Sequence, residues 1–196
     1  MAVERSKQDD RMSLEEFLKL EKSDPDHLYE YIDGYPYMMT SGSPDHALIE
    51  NNIGRILGNL LRRRPCLVYG PDVIFQLSGK DRFSPDLSVS CDKRDRNAEK
   101  VIQYPCLVVE VLSPGTRGKD KGIKADLYQE WPSIQEILFI DTQVLRVQLY
   151  RREGDSWRIL SFGPGQTVEL TSLGVQFPVV EVYEKTSFDE DFPTDV

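Results

Sequence analysis

The stretch LVVEVLSPGTRGKDKGIKADLY, residues 107–128, contains one carboxylate, Glu110, inside a run of leucine and valine. This apolar run is rich in β-branched residues and ends at Ser113-Pro114-Gly115, which predicts a strand buried on both faces of a sheet. An ionised carboxylate in such a strand is costly unless a partner compensates its charge. The position of Glu110 therefore predicts a compensating group, either a basic side chain or a metal ion.

The residues after this strand predict a helix from Thr116 to about Glu130. Four of its side chains recur at every fourth position: Thr116, Asp120, Lys124 and Tyr128. This spacing aligns them along one face of a helix. Because Leu127 and Tyr128 flank Lys124, this face is expected to point partly inward, so that the Lys124 ammonium reaches back toward Glu110.

Two other interpretations of this helix remain open. Asp120 and Lys124 have the spacing of a surface ion pair, which would contribute only a few tenths of a kcal/mol. Lys121 is a second candidate for the basic partner, although it points to a different side of the helix from Lys124. The pattern therefore favours Lys124, and it keeps Lys121 as the alternative.

A second acidic residue, Asp86, precedes the apolar strand. It belongs to SPDLSVS, residues 84–90, where strand alternation places it on the face opposite Leu87 and Val89. If the strands of Asp86 and Glu110 are neighbours, their carboxylates converge near one edge of the sheet. Mg²⁺ takes oxygen ligands and is usually held by one or two carboxylates together with water and phosphate. The pair predicts such a site, and the alternative is that Asp86 caps a turn and Glu110 pairs with a basic residue.

A lysine beside such a site has a defined use in phosphodiester hydrolysis. Its ammonium can steady the attacking water, lower the pKa of that water, or offset charge that develops on the phosphate. The cation polarises the phosphoryl oxygen. The candidate catalytic residues are therefore Asp86, Glu110 and Lys124, with Asp120, Lys121 and Tyr128 as supporting residues.

Composition indicates a single domain without a membrane helix. The 196 residues, 39% of them hydrophobic, are enough for one sizeable core and few for two. No apolar run approaches the roughly 18 residues that a membrane helix requires. The charged N-terminus lacks the apolar segment of a secretory signal, so a cytoplasmic protein is expected.

Charge and cysteine content exclude some classes of protein. The net charge of −9 disfavours a generic nucleic-acid coat protein, although short basic clusters occur near 62–64, 93–96 and 119–124. The 3 cysteines, Cys66, Cys91 and Cys106, are odd in number and outside any CxxC pair. This arrangement argues against a disulfide framework and against a structural zinc site.

The sequence of the rest of the chain predicts helices and strands that together form an α/β domain. Three signals mark the elements before residue 65: a capping box at Ser13 that begins a helix to about Glu21, a β-hairpin over 28–40 that turns at Asp33-Gly34, and a helix from Ser43-Pro44 to about Arg63. Strands are expected at 67–69, 72–77, 86–91, 106–112, 134–141, 144–150, 157–162, 167–170 and 177–182. We expect a flexible N-terminus at 1–12, a domain at 13–183 and a loose acidic tail at 184–196.

The order of these motifs resembles the PD-(D/E)XK nuclease superfamily and, more narrowly, the Uma family of restriction-endonuclease-like proteins. Five segments carry the resemblance over roughly 13–183: YEYIDG at 29–34, PDHALI at 44–49, SPDLSVS at 84–90, LVVEVLSP at 107–114, and the four-residue series from Thr116 to Tyr128. The resemblance implies a restriction-endonuclease-like core, with a mixed β-sheet flanked by helices in a single domain. It also implies that Asp86 and Glu110 hold Mg²⁺ or Mn²⁺.

The chain departs from the wider superfamily at one position. The lysine that normally follows the acid by two places is Leu112 here, so the resemblance implies that Lys124 takes its role. It also singles out Glu30 or Glu50 as a third metal ligand or a partner of the ligands. His46 is either a hydrogen-bonded structural histidine or a residue that orients a carboxylate or water near a metal.

Two functions follow as hypotheses. The first is a metal-dependent endonuclease, with DNA as the favoured substrate. Fold-level analogy adds a homodimer, since cutting two strands takes two sites. The second is a non-catalytic interaction module with a residual acidic site, which the net negative charge and Leu112 favour.

Overall fold

The computed structural model describes residues 11–39, 42–77, 81–99 and 101–189. Its helices are α1 (Leu14–Ser23), α2 (Pro44–Leu61), α3 (Arg117–Lys119), α4 (Ala125–Glu130) and α5 (Val179–Val182). A π-helical turn, Asp120–Lys124, connects α3 directly to α4, and a short 3₁₀ turn lies at Asp95–Asn97. Within the described ranges, none of these helices is both long enough and apolar enough to cross a bilayer.

Within the described ranges, the strands form three sheets. They are β1 (Tyr29–Ile32), β2 (Tyr35–Met38), β3 (Leu67–Tyr69), β4 (Ile74–Leu77), β5 (Asp81–Phe83), β6 (Leu87–Ser90), β7 (Val101–Ile102), β8 (Leu107–Leu112), β9 (Glu136–Asp141), β10 (Val147–Glu153), β11 (Ser156–Phe162), β12 (Thr167–Leu170) and β13 (Val175–Pro178). The central six-stranded sheet has the order β11-β10-β9-β8-β6-β3. A five-stranded sheet has the order β2-β1-β5-β4-β7, and β12 pairs with β13.

The strand of Glu110, β8, lies inside the central sheet. It pairs in parallel with β9 and antiparallel with β6, so that Leu87 of β6 lies opposite Val109. The predicted strands of Asp86 and Glu110 are therefore neighbours. All six residues of β8 are buried, which confirms the prediction of a strand covered on both faces.

The two faces of β8 contribute to two different cores. Val109 and Val111 belong to the core that α2 and α5 cover. Val108 and Leu112 belong to the core that contains Tyr128 of α4 and Phe75 of the five-stranded sheet. Because side chains alternate along a strand, Glu110 points to the second of these cores, between the two larger sheets and α4.

The local signals in the first third of the chain are confirmed. Ser13 caps α1 in a capping box with Glu16. The β1–β2 hairpin turns at Asp33 and Gly34, whose φ values of 50° and 86° lie in the left-handed region that this turn requires. Ser43 caps α2 and Pro44 is its first residue.

Several predicted bounds shift by a few residues, and two predicted elements differ from the structure in type. The helix predicted over 116–130 is interrupted by the π-helical turn. The strand predicted over 177–182 is wrong from residue 179 onward, because the chain leaves β13 at Pro178 and forms α5. Val179, Val182 and Tyr183 are buried there, and this spacing of three and four residues is that of a helix.

The cysteine prediction is also wrong in one respect. Cys66 and Cys91 form a disulfide across 25 residues of sequence. The register of β3 against β6, in which Leu67 lies opposite Ser90, brings these two cysteines side by side just beyond the paired residues. Cys106 is free and half-buried next to them.

The segment after α5 contacts α2. Asn52 donates hydrogen bonds to the carbonyl oxygens of Val182 and Glu184. Arg55 forms an ion pair with the Glu184 carboxylate at 2.5 Å. Ser187 donates to the Asp45 carboxylate. Residues 1–10 and 190–196, most of the predicted flexible N-terminus and acidic tail, lie outside the described residues.

Candidate active site

A buried lysine surrounded by carboxylates forms the centre of the site. The Lys124 Nζ atom lies 2.6 Å from Oε1 of Glu110 and 3.0 Å from Oε1 of Glu30. It also lies 3.4 Å from Oδ1 of Asp120. The predicted contact between Lys124 and Glu110 is present. Asp120 and Lys124 do not form a surface ion pair, because both of these residues are buried.

Different elements bring these side chains together. Glu30 lies on β1 opposite Tyr37 of the hairpin, and Glu110 lies near the end of β8. Asp120 and Lys124 are the first and last residues of the π-helical turn. That turn has a wider repeat than an α-helix, yet residues four apart still lie on nearly the same side.

Tyr128 contacts the cluster from α4. Its hydroxyl donates a hydrogen bond of 2.5 Å to Oε1 of Glu110. Its ring packs edge-on against Phe83, with a centroid distance of 5.3 Å, and against Phe75 at 6.5 Å. The aromatic packing fixes the donor, and both contacts of Glu110 use the same oxygen. Among the described residues, no hydrogen bond or ion pair to Oε2 of Glu110 is found, so this oxygen can accept a ligand.

Burial and neighbouring charges together set the electrostatics of the cluster. Burial raises the pKa of Glu110 to about 8, although the ammonium of Lys124 opposes this shift. Burial alone would lower the pKa of Lys124, but Glu110, Tyr128 and the other acids hold it well above its ordinary value. The carboxylates of Glu30, Glu110 and Asp120 all lie within 3.4 Å of the Lys124 ammonium, and the charges of Glu30 and Asp120 add to the raised pKa of Glu110.

Asp86 occupies the segment between β5 and β6. Its Oδ2 atom accepts a hydrogen bond of 2.5 Å from the backbone amide of Val111, the residue after Glu110. Its Oδ1 atom lies 3.7 Å from Nε2 of His46. Burial raises the pKa of Asp86, while His46 and the Val111 amide oppose the shift. The hydrogen bond to β8 shows why Asp86 lies next to Glu110.

The first turns of α2 supply the other side of the site. The Ser43 hydroxyl accepts a hydrogen bond from the backbone amide of His46, which fixes the start of the helix. Glu50 follows one turn later, with Oε2 at 4.0 Å from Nδ1 of His46. Burial raises the pKa of Glu50, and the charge of Asp86 raises it further.

A cavity of about 100 Å³ lies between the lysine cluster and the start of α2. Its lining includes eight of the residues named above, namely Glu30, His46, Asp86, Glu110, Val111, Thr116, Asp120 and Lys124. Met38, Met39 and Ser84 complete the lining and were not singled out from the sequence. Ser84 lies two residues before Asp86, and its place in the SPDLSVS motif is the sequence signal that could have identified it as a lining residue.

Lys121 lies outside the site, and Glu50 lies beside Asp86 instead of beside Lys124. Lys121 donates a hydrogen bond to Gln148 of β10, away from the carboxylates. Glu50 is near His46 and Asp86 rather than near Lys124. The structure thus separates the predicted set into a lysine-centred group with Glu30, Glu110, Asp120 and Tyr128, and a group formed by His46, Glu50 and Asp86.

These donors suit a divalent cation. Asp86 and Glu110 both line the cavity, and Oδ1 of Asp86 and Oε2 of Glu110 have no hydrogen bond from the described part of the chain. Carboxylate oxygens are the ligands that Mg²⁺ and Mn²⁺ prefer. The residues present therefore fit the metal that the resemblance implies.

Two proteins from Synechocystis are similar to this chain in sequence. The protein named "Uncharacterized protein slr1290" from Synechocystis sp. is 36% identical over 180 residues, covering 91% of this chain and 94% of that protein. A second Synechocystis protein, "Uncharacterized protein sll1609", is 28% identical over 144 residues, covering 72% and 81% of the two chains.

A solved structure and a family model give the classification. The crystal structure of "a putative nuclease belonging to DUF820" from Anabaena variabilis matches with a TM-score of 0.72 at 20% identity, covering 88% of this chain and 97% of that chain. The fold is therefore the one found there, a single α/β domain of mixed sheets flanked by helices, as predicted. The model of the Uma2 family, described as "Putative restriction endonuclease", matches residues 14–180. The chain belongs to the Uma2 family.

Proposed function

We propose that this protein is a metal-dependent nuclease that hydrolyses phosphodiester bonds, with DNA as the favoured substrate. One observation carries the proposal: a buried lysine contacts Glu110 in the same cavity that Asp86 lines. The description of the Uma2 family and the printed title of the Anabaena structure support a nuclease. Mg²⁺ or Mn²⁺ is the proposed cofactor.

Asp86 and Glu110 are the proposed ligands of the cation. The Val111 amide orients Asp86, and Tyr128 and Lys124 orient Glu110, so each carboxylate is fixed through one oxygen and offers the other. A divalent cation held there would polarise the phosphoryl oxygen and lower the pKa of a bound water. The protein holds both ligands in place before substrate arrives.

Lys124 is the proposed catalytic lysine. It is buried and its charge is maintained by the surrounding acids, so it enters the reaction as an ammonium. An ammonium beside the phosphate offsets the negative charge that develops as the water attacks, and it can hold that water by a hydrogen bond. Glu30 and Asp120 restrict its position from two further directions.

The proposal is tested by cleavage of supercoiled plasmid and of single-stranded DNA with Mg²⁺ or Mn²⁺. Lys124→Ala is expected to lower the cleavage rate by about 100-fold or more, because it removes charge stabilisation in the transition state. Lys121→Ala is the matched control, since this lysine contacts Gln148 outside the cavity, and its rate is expected to stay near that of the parent.

Asp86→Asn and Glu110→Gln keep the shape of each side chain and are expected to abolish cleavage. If Lys124→Ala cleaves as fast as the parent while Lys121→Ala does not, Lys124 is not the catalytic lysine. Metal-independent cleavage would reject the proposed cofactor.

A second function has one observation in its favour. The ion pair with Lys124 compensates Glu110 without a metal, as a structural acid requires. In a non-catalytic interaction module, the cluster would serve stability alone. Calorimetry with Mg²⁺ and Mn²⁺ separates the two functions, because the module predicts no cation binding in the cavity and no cleavage of any nucleic acid.

We also propose that the nuclease acts as a homodimer, because cutting both strands of a duplex takes two active sites.

A further inference from the structure

We propose that His46, Glu50 and Asp86 form a cation site of their own, which prefers Mn²⁺ over Mg²⁺ and does not require Glu110. The inference deepens the proposed nuclease function and rests on the same cavity, which the new site would share through Asp86. Each of the three residues offers one ligand atom, and these atoms lie within 4.8 Å of one another.

The three side chains converge without hydrogen bonds to one another. His46 Nε2 lies 3.7 Å from Oδ1 of Asp86, and Nδ1 lies 4.0 Å from Oε2 of Glu50. Both distances exceed the reach of a hydrogen bond. Two carboxylates also face each other here, and this repulsion is relieved when a divalent cation lies between them.

Each ligand is positioned by the fold. His46 and Glu50 are four residues apart on α2, so they lie on the same helical face. The Val111 amide bonds Oδ2 of Asp86 and leaves Oδ1 toward the imidazole. Gly42 contributes as well: a Cβ atom there would lie 2.7 Å from Cγ of His46, so the absence of a side chain makes room for the ring.

The site is separate from the lysine cluster. Glu110 contacts Lys124 and Tyr128 through Oε1, and neither of those residues approaches His46 within the described contacts. A cation held by His46, Glu50 and Asp86 therefore does not have to displace the Lys124 ammonium from Glu110. This site can fill while the ion pair remains intact.

The ligand types select the cation. Mg²⁺ requires oxygen ligands and retains water, whereas an imidazole nitrogen favours transition metals. Two carboxylates with one imidazole suit Mn²⁺, which accepts both donor types. The imidazole thus makes the site discriminate against Mg²⁺.

The first experiment uses the unaltered protein. The chain has 2 histidines, His27 and His46, and His27 lies on the loop before β1, paired with Asp24. In proton NMR spectra, substoichiometric Mn²⁺ is expected to broaden the imidazole signals of His46 and to leave those of His27 sharp. His46→Gln and His27→Gln assign the signals. Equal broadening of both, or selective broadening of His27, would overturn the proposal.

The second experiment measures affinity by electron paramagnetic resonance of free Mn²⁺ and by calorimetry. The parent is expected to bind Mn²⁺ at least tenfold more tightly than Mg²⁺. His46→Gln is expected to lose tenfold or more in Mn²⁺ affinity and to lose the preference, whereas His27→Gln stays unchanged. Glu110→Gln is expected to retain a His46-dependent Mn²⁺ site, and losing it there would reject independence from Glu110.

Gly42→Ala keeps all three ligand residues but crowds the His46 ring, so it is expected to weaken Mn²⁺ binding. This variant replaces His46→Gln in the test if His46→Gln does not fold. Unchanged Mn²⁺ binding in both variants would overturn the site. Because these measurements need no substrate, their outcome is distinct from that of the cleavage assay. A His46-dependent Mn²⁺ site without cleavage would reject the nuclease alone, and cleavage without such a site would reject this inference alone.

Discussion

At the scale of single residues, the charge of Glu110 has a partner on the protein itself. The sequence left open whether a basic residue or a metal compensates it, and the structure places Lys124 at 2.6 Å. The four-residue spacing was enough to select Lys124, because it holds in an α-helix and nearly holds in a π turn. The hydrogen bond from Tyr128 was not predictable, since it depends on how α4 packs against β8.

Glu110→Gln is expected to change how stability depends on pH. The folded-state pKa of about 8 lies above the ordinary 4.5, so folding takes up a proton between these values. Stability contributed by the protonated group is therefore present below pH 4.5 and lost as pH rises toward 8. The Glu110→Gln variant does not have this loss. Its free energy of unfolding, relative to that of the parent, should therefore rise by roughly 2–4 kcal/mol between about pH 5 and about pH 8.

Urea denaturation in the presence of EDTA measures this difference. Glu130→Gln, an exposed glutamate at the end of α4, is the control. A stability difference between Glu110→Gln and the parent that stays constant with pH would contradict the raised pKa of Glu110.

Tyr128→Phe tests the value of the buried hydroxyl. The ring contacts with Phe75 and Phe83 remain, but Glu110 loses a donor. At pH 9, above the Glu110 pKa of about 8, the free energy of unfolding should therefore fall by about 1.5–3 kcal/mol. Tyr150→Phe is a suitable control, because its hydroxyl has no hydrogen-bond partner in the described part of the chain. Equal small losses in both variants would show that the hydrogen bond contributes little.

At the scale of elements, local signals predicted what local chemistry determines. The caps of α1 and α2 and the Asp33-Gly34 turn depend on adjacent residues alone, and they are confirmed. The segment 179–182 was misassigned because valine is typical of strands, although its buried positions have helical spacing. The strands β5 and β7 were not predicted, because two of the three residues of β5 are charged and β7 has only two residues.

The disulfide was missed for a related reason. Cys66 and Cys91 are far apart in sequence, and only the antiparallel register of β3 and β6 brings them together. A crosslink that closes a loop of this length, 25 residues, restricts the unfolded chain. Reduction, or the double change Cys66→Ser and Cys91→Ser, is expected to lower the free energy of unfolding by about 3 kcal/mol.

Urea denaturation with and without reductant measures this effect. The double variant is its own control, because reductant should not change its stability. Thiol titration of the denatured, unreduced parent should find one free thiol, that of Cys106, whereas three free thiols would show that the bond does not form.

At the scale of the whole molecule, the fold class followed from sequence but the division into three sheets did not. The pairing of β1 with β5, and of β4 with β7, joins segments from distant parts of the chain. No local pattern encodes such pairing, because it depends on which surfaces remain to be covered once β8 and α2 pack. The position of Glu30 beside Lys124 follows from this second sheet, so the resemblance indicated Glu30 while its contact required the structure.

The proposed homodimer makes a prediction at this scale. Sedimentation velocity should show a species of twice the chain mass of 22.5 kDa at micromolar concentration. If each site cuts one strand, dimers that combine a parent chain with a Lys124→Ala chain should nick supercoiled plasmid and linearise it slowly. A single species of 22.5 kDa that linearises plasmid would contradict the homodimer.

The π-helical turn at Asp120–Lys124 also affects how related sequences should be compared. Such a turn accommodates one residue more than the α-helical turn it replaces. A relative that forms a regular α-helix in this region would be one residue shorter, and an ungapped alignment would place Ile123 or Ala125 opposite its lysine. Searches for the lysine in divergent relatives should therefore allow a one-residue gap between the Asp120 and Tyr128 positions.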